Sequence, residues 1–347
     1  MEIIFLNTQS LFQVLLSAGM AALLALLLAP LMTRFLYKYK MGKRIRQTAA
    51  TGEKTTFFYQ LHREKAGTPT MGGVMIWLTV FLVTLLLGNL SRQQTYLPLF
   101  ALIAAGLIGL IDDLFNIFGL GSNQGGLRLR HKLIWYILIA AIGAWWFYYK
   151  LDWNVIHIPG GNLFGLPYNI ELGWWYIPLF IITVIGVSFA VNLSDGLDGL
   201  AGGLLASAFG AYSFIALVQG KPELAAFCAA IVGALLTFLW FNIYPARFFM
   251  GDTGSMSLGV TLAVVALLTN SIVVLPLIGF VFVIEALSVI IQLFSKKYFG
   301  RKVFLSAPIH HHFQAKGWPE TKVTMRFWVI GMVCAIIGLI IALIGRG

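Results

Sequence analysis

The chain has 347 residues, of which 59% are hydrophobic and only 11% charged, with a formal net charge of +11. Soluble domains carry about 25% charged residues, so this composition cannot cover a water-exposed surface and reads as an all-α polytopic membrane protein. Two cysteines without a CxxC pair exclude a disulfide scaffold and a thiolate metal site.

Apolar runs of spanning length recur ten times, at about 11–36, 73–90, 96–111, 133–149, 175–193, 199–218, 223–241, 257–270, 272–293 and 326–344. The first follows Glu2 and no basic stretch, which reads as a retained anchor rather than a cleaved signal. The eighth is short, with Thr253 as an earlier start, and Pro276 predicts a kink or break in the ninth. One loop of some size, about 150–174, predicts a small β-hairpin from Val155–Ile158 and Pro167–Leu172 around Gly160-Gly161-Asn162. Tryptophans 145, 146, 153, 174 and 175 suit a membrane interface beside it.

With ten spans, the segments Tyr37–Thr70, Asp112–His131, Ser194–Asp198, Asn242–Met256 and Ser295–Met325 fall on one side. With its adjoining helix ends, that side holds twenty of the 24 lysines and arginines and eight of the 13 acids, while the other side balances to zero. The basic side is cytoplasmic by the positive-inside rule and both termini face outward. The positive charge therefore orients helices and requires no nucleic-acid partner. Residues 1–347 read as one integral-membrane domain.

The sparse acids gather in three short segments at helix ends: Asp112-Asp113, Asp195 with Asp198, and Asp252. A lone aspartate there serves equally well as a helix cap. The pair Asp112-Asp113 follows an apolar run, at the unfavourable end of an emerging helix, and needs a cation or proton. Such acids suit Mg²⁺, which takes carboxylate, water and phosphate oxygens. If Asn192–Gly203 is helical, Asp195 and Asp198 share a face. Gly251-Asp252-Thr253-Gly254 combines sharp-turning glycines with a ligand or acid–base group. His62, Arg63 and Lys65 precede a Gly/Pro-rich entry to the second span. His310-His311-His312 suits phosphate or carboxylate better than zinc. Glu285 and Gln292 are polar positions in the ninth run, open to interhelical bonding or to a proton path in an ion-coupled transporter.

In order along the chain, HREKAGTPTMGG (62–73), Asp112-Asp113, Gly125–Lys132, NLSDGLDGLAGG (192–203), NIYPARFFMGDTGSMSLG (242–259), Glu285–Gln292 and APIHHHFQ (307–314) resemble the phospho-N-acetylmuramoyl-pentapeptide transferases. This family lies within the polyprenyl-phosphate N-acetylhexosamine-1-phosphate transferases; APIHHHFQ separates it from the relatives that transfer N-acetylglucosamine 1-phosphate. The resemblance implies transfer of phospho-MurNAc-pentapeptide from its UDP donor to undecaprenyl phosphate, with UMP released, lipid I formed and Mg²⁺ required. It also implies a homodimer in the bacterial cytoplasmic membrane, embedded in membrane lipid, with its active site on the cytoplasmic side. Asp252 is then the Mg²⁺ ligand, and Asp112 and Asp113 position or deprotonate the acceptor phosphate. Lys65, Asn192, Asp195 and Asp198 line the uridine or diphosphate, and Phe249 stacks on uracil. His310, His311 and His312 hold the donor's phosphate or sugar-peptide portion, Arg130 and Lys132 contact phosphate, and the prenyl groove runs beside the ninth helix near Pro276. The family's acidic pair continues with an aromatic residue and a lysine, where this chain has Leu114 and Asn116; Arg128, Arg130 or Lys132 then compensates.

Overall fold

The computed structural model describes residues 7–42, 65, 67–88, 93–121, 126–161 and 167–344. His62, Arg63, the 48–60 stretch, Gly125 and Asn162 lie outside the described residues. The helices are α1 (Thr8–Lys38), α2 (Gly73–Leu86), α3 (Gln93–Phe118), α4 (Leu129–Lys150), α5 (Tyr176–Ser194), α6 (Leu200–Val218), α7 (Pro222–Asn242), α8 (Gly251–Leu268), α9 (Leu275–Ile278), α10 (Phe280–Phe299), α11 (Ile309–Ala315) and α12 (Glu320–Ile344). Between α4 and α5, β1 (Val155–His157) pairs antiparallel with β2 (Asn169–Glu171), with Ile156 opposite Ile170, as the sequence predicts.

Among the described residues eight helices are long and apolar enough to cross a membrane, and the segment Ile272–Ile278 with α10 makes a ninth, bent by 81°. Helix α2 has 14 residues, about 21 Å at 1.5 Å per residue, and does not match a hydrocarbon core of about 30 Å. The expected second span is therefore shorter than 73–90. Two other expectations change. The break in the ninth run falls at Gly279, because Pro276 sits in the first turn of α9, where its missing N–H costs nothing. Helix α3 continues to Phe118, so Asp112 and Asp113 lie inside it rather than beyond its end.

Helix α8 is the centre of the bundle. Every one of its residues except Asp252 is buried. Small residues allow this, since without a hydrophobic drive between helices in lipid, tight association comes from close backbone approach. A side chain on Gly73 of α2 would collide with the Gly254 backbone, and one on Gly109 of α3 with the Asp252 carbonyl. The hydroxyls that come with this small-residue sequence are turned inward on the helix: Ser255, Ser257 and Thr261 donate to the carbonyls of Gly251, Thr253 and Ser257 at 2.8–2.9 Å. At the periphery, Leu23, Leu27 and Leu31 of α1 and Val329, Ile336 and Ile340 of α12 are exposed, the pattern of a lipid-facing surface.

The two ends of the bundle differ. At one, the hairpin is tied to the end of α8, His157 N–H donating to Asn270 Oδ1 at 3.1 Å, and the ends of α6 and α8 are joined by Gln219 Nε2 donating to the Thr269 carbonyl at 2.6 Å. At the other end collect the C-terminal parts of α3, α5 and α7 with the N-termini of α4, α6, α8 and α12, and with them all three acidic segments.

The close packing of α2 on α8 is open to test. Gly73→Ala should lower the melting temperature of the detergent-solubilised protein, as overpacking costs about 1–3 kcal/mol. Gly210→Ala, whose added carbon meets nothing within 4 Å, should leave it unchanged or slightly raised.

Candidate active site

The site is built on the N-terminus of α8. The first N–H groups of a helix have no partner of their own, and here they are buried. Asp113 supplies the acceptors: its Oδ1 receives Asp252 N–H at 3.3 Å, and its Oδ2 receives Thr253 N–H at 3.1 Å and the Thr253 hydroxyl at 2.7 Å. Gly251 makes this approach possible, with a positive φ of 73° and no side chain to displace the Asp113 carboxylate. Asp113, expected among the acids that handle the acceptor, thus meets the helix end.

The same helix end presents Asp252. Lys132, on the first turn of α4, lies 2.5 Å from Asp252 Oδ2 and 2.7 Å from Asp112 Oδ2. Asn192, near the end of α5, donates to Asp252 Oδ1 at 3.0 Å and to the Ser255 hydroxyl at 2.9 Å. Asp112 Oδ1 accepts the Leu127 N–H at 2.6 Å and so anchors the approach to α4. Two carboxylates thus share one ammonium, which leaves the group net negative among largely buried side chains. Arg128 and Arg130 are exposed; Lys132 is the cation that meets both acids. Asn116, one turn beyond Asp112, is buried, and its side-chain oxygen has no hydrogen-bond partner among the described residues.

A second cluster surrounds Lys65. Its ammonium lies 2.7 Å from Asp198 Oδ1 and 2.5 Å from Glu320 Oε1. Asp198 Oδ2 accepts the Ala246 N–H at 3.0 Å. Asp195 and Asp198 do not share a helix face as anticipated: they stand in the turns between α5 and α6, with Gly199 left-handed at φ 77°. The loop carrying Lys65 is joined to the start of α8 by backbone bonds, Phe249 N–H to the Pro69 carbonyl and Gly72 N–H to the Phe249 carbonyl, both 2.8 Å. Phe249 is half-buried in this junction.

The histidine segment forms the third part. Helix α10 buries a polar stripe of Glu285, Ser288, Gln292 and Ser295, and the stripe holds the loop that leads to α11. Gln292 accepts the N–H groups of Val303 and Phe304 at 3.1 and 2.9 Å and donates to the Phe304 carbonyl at 3.0 Å. Glu285 Oε2 lies 2.9 Å from His310 Nδ1, with both side chains fully buried. The pairing accounts for Glu285 as an interhelical structural bond, the other role its position allowed. His310, expected to touch the donor, is enclosed between Glu285 and Gly196, where any added side chain would strike its ring. His311 pairs with Gln314 at 2.8 Å. His312 is half-buried, and its Nδ1 accepts the Leu305 N–H at 3.1 Å, so the neutral ring carries its proton on Nε2. Desolvation and then the Lys316 cation hold its pKa below the usual imidazole value, which favours that neutral form at pH 7.

Sequence reasoning missed Glu320. In the sequence it is an acid at the start of the last apolar run, four residues before Thr324, which reads as a helix-end charge.

A family model for glycosyl transferase family 4 matches residues 95–270, and a phospho-N-acetylmuramoyl-pentapeptide-transferase signature matches residues 65–76. A phospho-N-acetylmuramoyl-pentapeptide-transferase of Geobacillus sp. is 44% identical over 324 residues, covering 92% of this chain and 94% of its own. Proteins of the same description from Anoxybacillus flavithermus and Chloroflexus aurantiacus are 41% and 40% identical, covering 94% and 97% of this chain and 97% and 91% of theirs.

The division of labour between the acids predicts an order of stabilities. Asp113→Ala removes the acceptor for two buried N–H groups and a hydroxyl and should cost about 2 kcal/mol or more. Asp252→Ala, which leaves the cap in place, should melt close to the wild type; thermal unfolding in detergent measures the difference.

Proposed function

The chain belongs to the phospho-N-acetylmuramoyl-pentapeptide-transferase family, and we propose that the cluster at the N-terminus of α8 is where it transfers phospho-MurNAc-pentapeptide from UDP-MurNAc-pentapeptide to undecaprenyl phosphate. The products are UMP and lipid I. The observation that carries this placement is the convergence of Asp112, Lys132, Asn192 and Asp252, from four helices, at one end of the bundle.

The family implies Mg²⁺. Among the described residues no three His, Cys, Asp or Glu side chains form a ready metal cage. Mg²⁺ is commonly held by one or two carboxylates with water and substrate phosphate, and the net-negative pair Asp112 and Asp252 fits that pattern, with Asp252 as the principal ligand. When bound, the ion would neutralise diphosphate charge and stabilise phosphoryl transfer. The chain's own residues do the rest. Asn192 fixes the Asp252 carboxylate through its Oδ1. Lys132 offers its ammonium to phosphate oxygens once these compete for it, with Arg130 at the exposed rim. Asp113 acts through the backbone it caps and is a positioning residue. An acceptor phosphate has a second pKa of about 6, so its oxygen is already a nucleophile at neutral pH and direct in-line attack requires no carboxylate base.

Lys65, Asn192, Asp195 and Asp198 line the donor's uridine and diphosphate, and Phe249 gives uracil an aromatic face. The neutral His312 offers an Nε2–H donor to the phosphate or sugar-peptide portion, beside His311, while His310 sets the segment's position. The prenyl chain lies along the apolar face of α10, where Leu287, Ile290, Ile291 and Phe294 are exposed beyond the bend at Gly279. The acidic end of the bundle faces the cytosol of a bacterial cytoplasmic membrane, which its lysines and arginines favour. In this reading α2, extended by its flanking turns, completes ten spans, both termini face outward, and the enzyme works as a homodimer.

Purified protein given UDP-MurNAc-pentapeptide, undecaprenyl phosphate and Mg²⁺ should release UMP and form lipid I, with UDP-GlcNAc a poor competitor. Asp252→Ala should keep its fold and lose at least about a hundredfold in turnover. Near-native turnover of that variant across a Mg²⁺ titration would contradict the assignment.

A further inference from the structure

Helix α12 lies at the edge of the bundle and most of its surface is apolar and exposed, yet one stripe of it is spent on polar contacts. Glu320, Thr324 and Trp328 stand four residues apart, on one face. All three reach the same two residues of the turn between α5 and α6. Glu320 Oε1 accepts the Asp198 N–H at 2.7 Å, the Thr324 hydroxyl donates to the Asp198 carbonyl at 3.4 Å, and Trp328 Nε1 donates to the Gly199 carbonyl at 3.1 Å. The same Glu320 oxygen receives the Lys65 ammonium. Gly203 has no side chain, and any carbon there would overlap the Trp328 ring, so the fit of helix to turn is close.

An acid in the first turn of a helix is ordinarily accounted for by the helix dipole. That account explains neither the bond to Asp198 N–H nor the second bond to Lys65, which comes from a segment 255 residues away in sequence. Asp198 has its remaining acceptor on the Ala246 N–H, so the turn, the Lys65 loop and the segment before α8 are held to one another through Asp198, and Glu320 clamps that arrangement from outside.

We propose that Glu320 is a positioning residue for the nucleotide end of the donor, holding Lys65 and the Asp198–Gly199 turn in the arrangement that receives it. The inference rests on the reading that Lys65 and Asp198 line the nucleotide. Glu320 itself does no chemistry, so its loss should appear in donor affinity rather than in the transfer step.

The test is UMP affinity by calorimetry on the full-length protein in detergent with Mg²⁺, together with steady-state constants for both substrates. Glu320→Ala should weaken UMP binding and raise the KM for the UDP donor by about tenfold, with kcat and the KM for undecaprenyl phosphate little changed. Glu320→Asp keeps the charge at the helix start but draws the carboxylate back; it should show the same selective loss, which a helix-dipole role would not, and it serves alone if the alanine variant does not fold. Glu320→Gln keeps an acceptor oxygen in place and should recover most of the affinity. Wild-type protein that binds no UMP would overturn the nucleotide reading and this inference with it. Wild-type binding with E320A and E320D within about twofold of it would overturn only the inference. So would equal losses in kcat and both KM values, or an E320Q as weak as E320A.

Discussion

A helix that begins inside a membrane protein leaves several N–H groups with no water to receive them, and this constraint organises the whole acidic end of the bundle. Helix α8 is buried on every side, so its first turn must find acceptors in the protein. Asp113 provides them from inside α3, at 3.1–3.3 Å for the two N–H groups. To bring the carboxylate that close, Gly251 adopts a positive φ, and Gly73 and Gly109 let α2 and α3 lie against the helix backbone. With the end satisfied by one aspartate, the neighbouring Asp252 side chain is left to meet Lys132 and Asn192. It is the single residue of α8 that is not buried.

The remaining pieces are arranged around that point by the same requirement that polar backbone at membrane depth be paired. The loop after α10 is irregular, and the Gln292 side chain meets its N–H and C=O groups as a neighbouring strand would. The buried Glu285–His310 pair then sets the start of α11. Because His310 rests against Gly196, the histidine segment is packed directly on the turn that holds Asp195 and Asp198. Asn242 continues the connection, accepting the Gly199 N–H at 3.0 Å and donating to the Phe248 carbonyl at 2.9 Å. The acid cluster, the Asp195–Gly199 turn and the histidine segment are one connected structure, joined by short contacts.

Much of this was legible in the residues. Long apolar runs locate the helices, the Gly160-Gly161 turn between two β-favouring stretches locates the hairpin, and scarcity of charge makes Asp112, Lys132 and Asp252 conspicuous. What was not legible depends on partners distant in sequence. Asp113 and Asp112 are adjacent and chemically identical, yet one caps α8 and the other shares Lys132, a difference set by which side of α3 each faces. Asp195 and Asp198 have helical spacing, but the left-handed Gly199 places them in turns. Glu285 reads alike as a proton carrier and as a structural acid until His310 is seen beside it. Glu320 looks like an ordinary first-turn acid; its spacing to Thr324 and Trp328 is visible in the sequence, but the Asp198–Gly199 backbone they serve is not. The start of α2 at Gly73 was legible from the apolar run, and the Gly72 and Gly73 N–H groups fix it by bonding to the Phe249 and Met250 carbonyls; its end at Leu86, short of residue 90, was not.

On the proposed reading, the capped end of α8 presents Asp252 as the protein's ligand for a divalent cation shared with the donor diphosphate. Electron paramagnetic resonance of Mn²⁺, used in place of Mg²⁺ with the purified protein and its UDP donor, tests it most directly. Wild-type protein should bind Mn²⁺ with a phosphorus coupling from the nucleotide, and Asp252→Ala, still folded, should lose that bound signal. Undiminished Mn²⁺ binding with the same coupling in the variant would contradict the account.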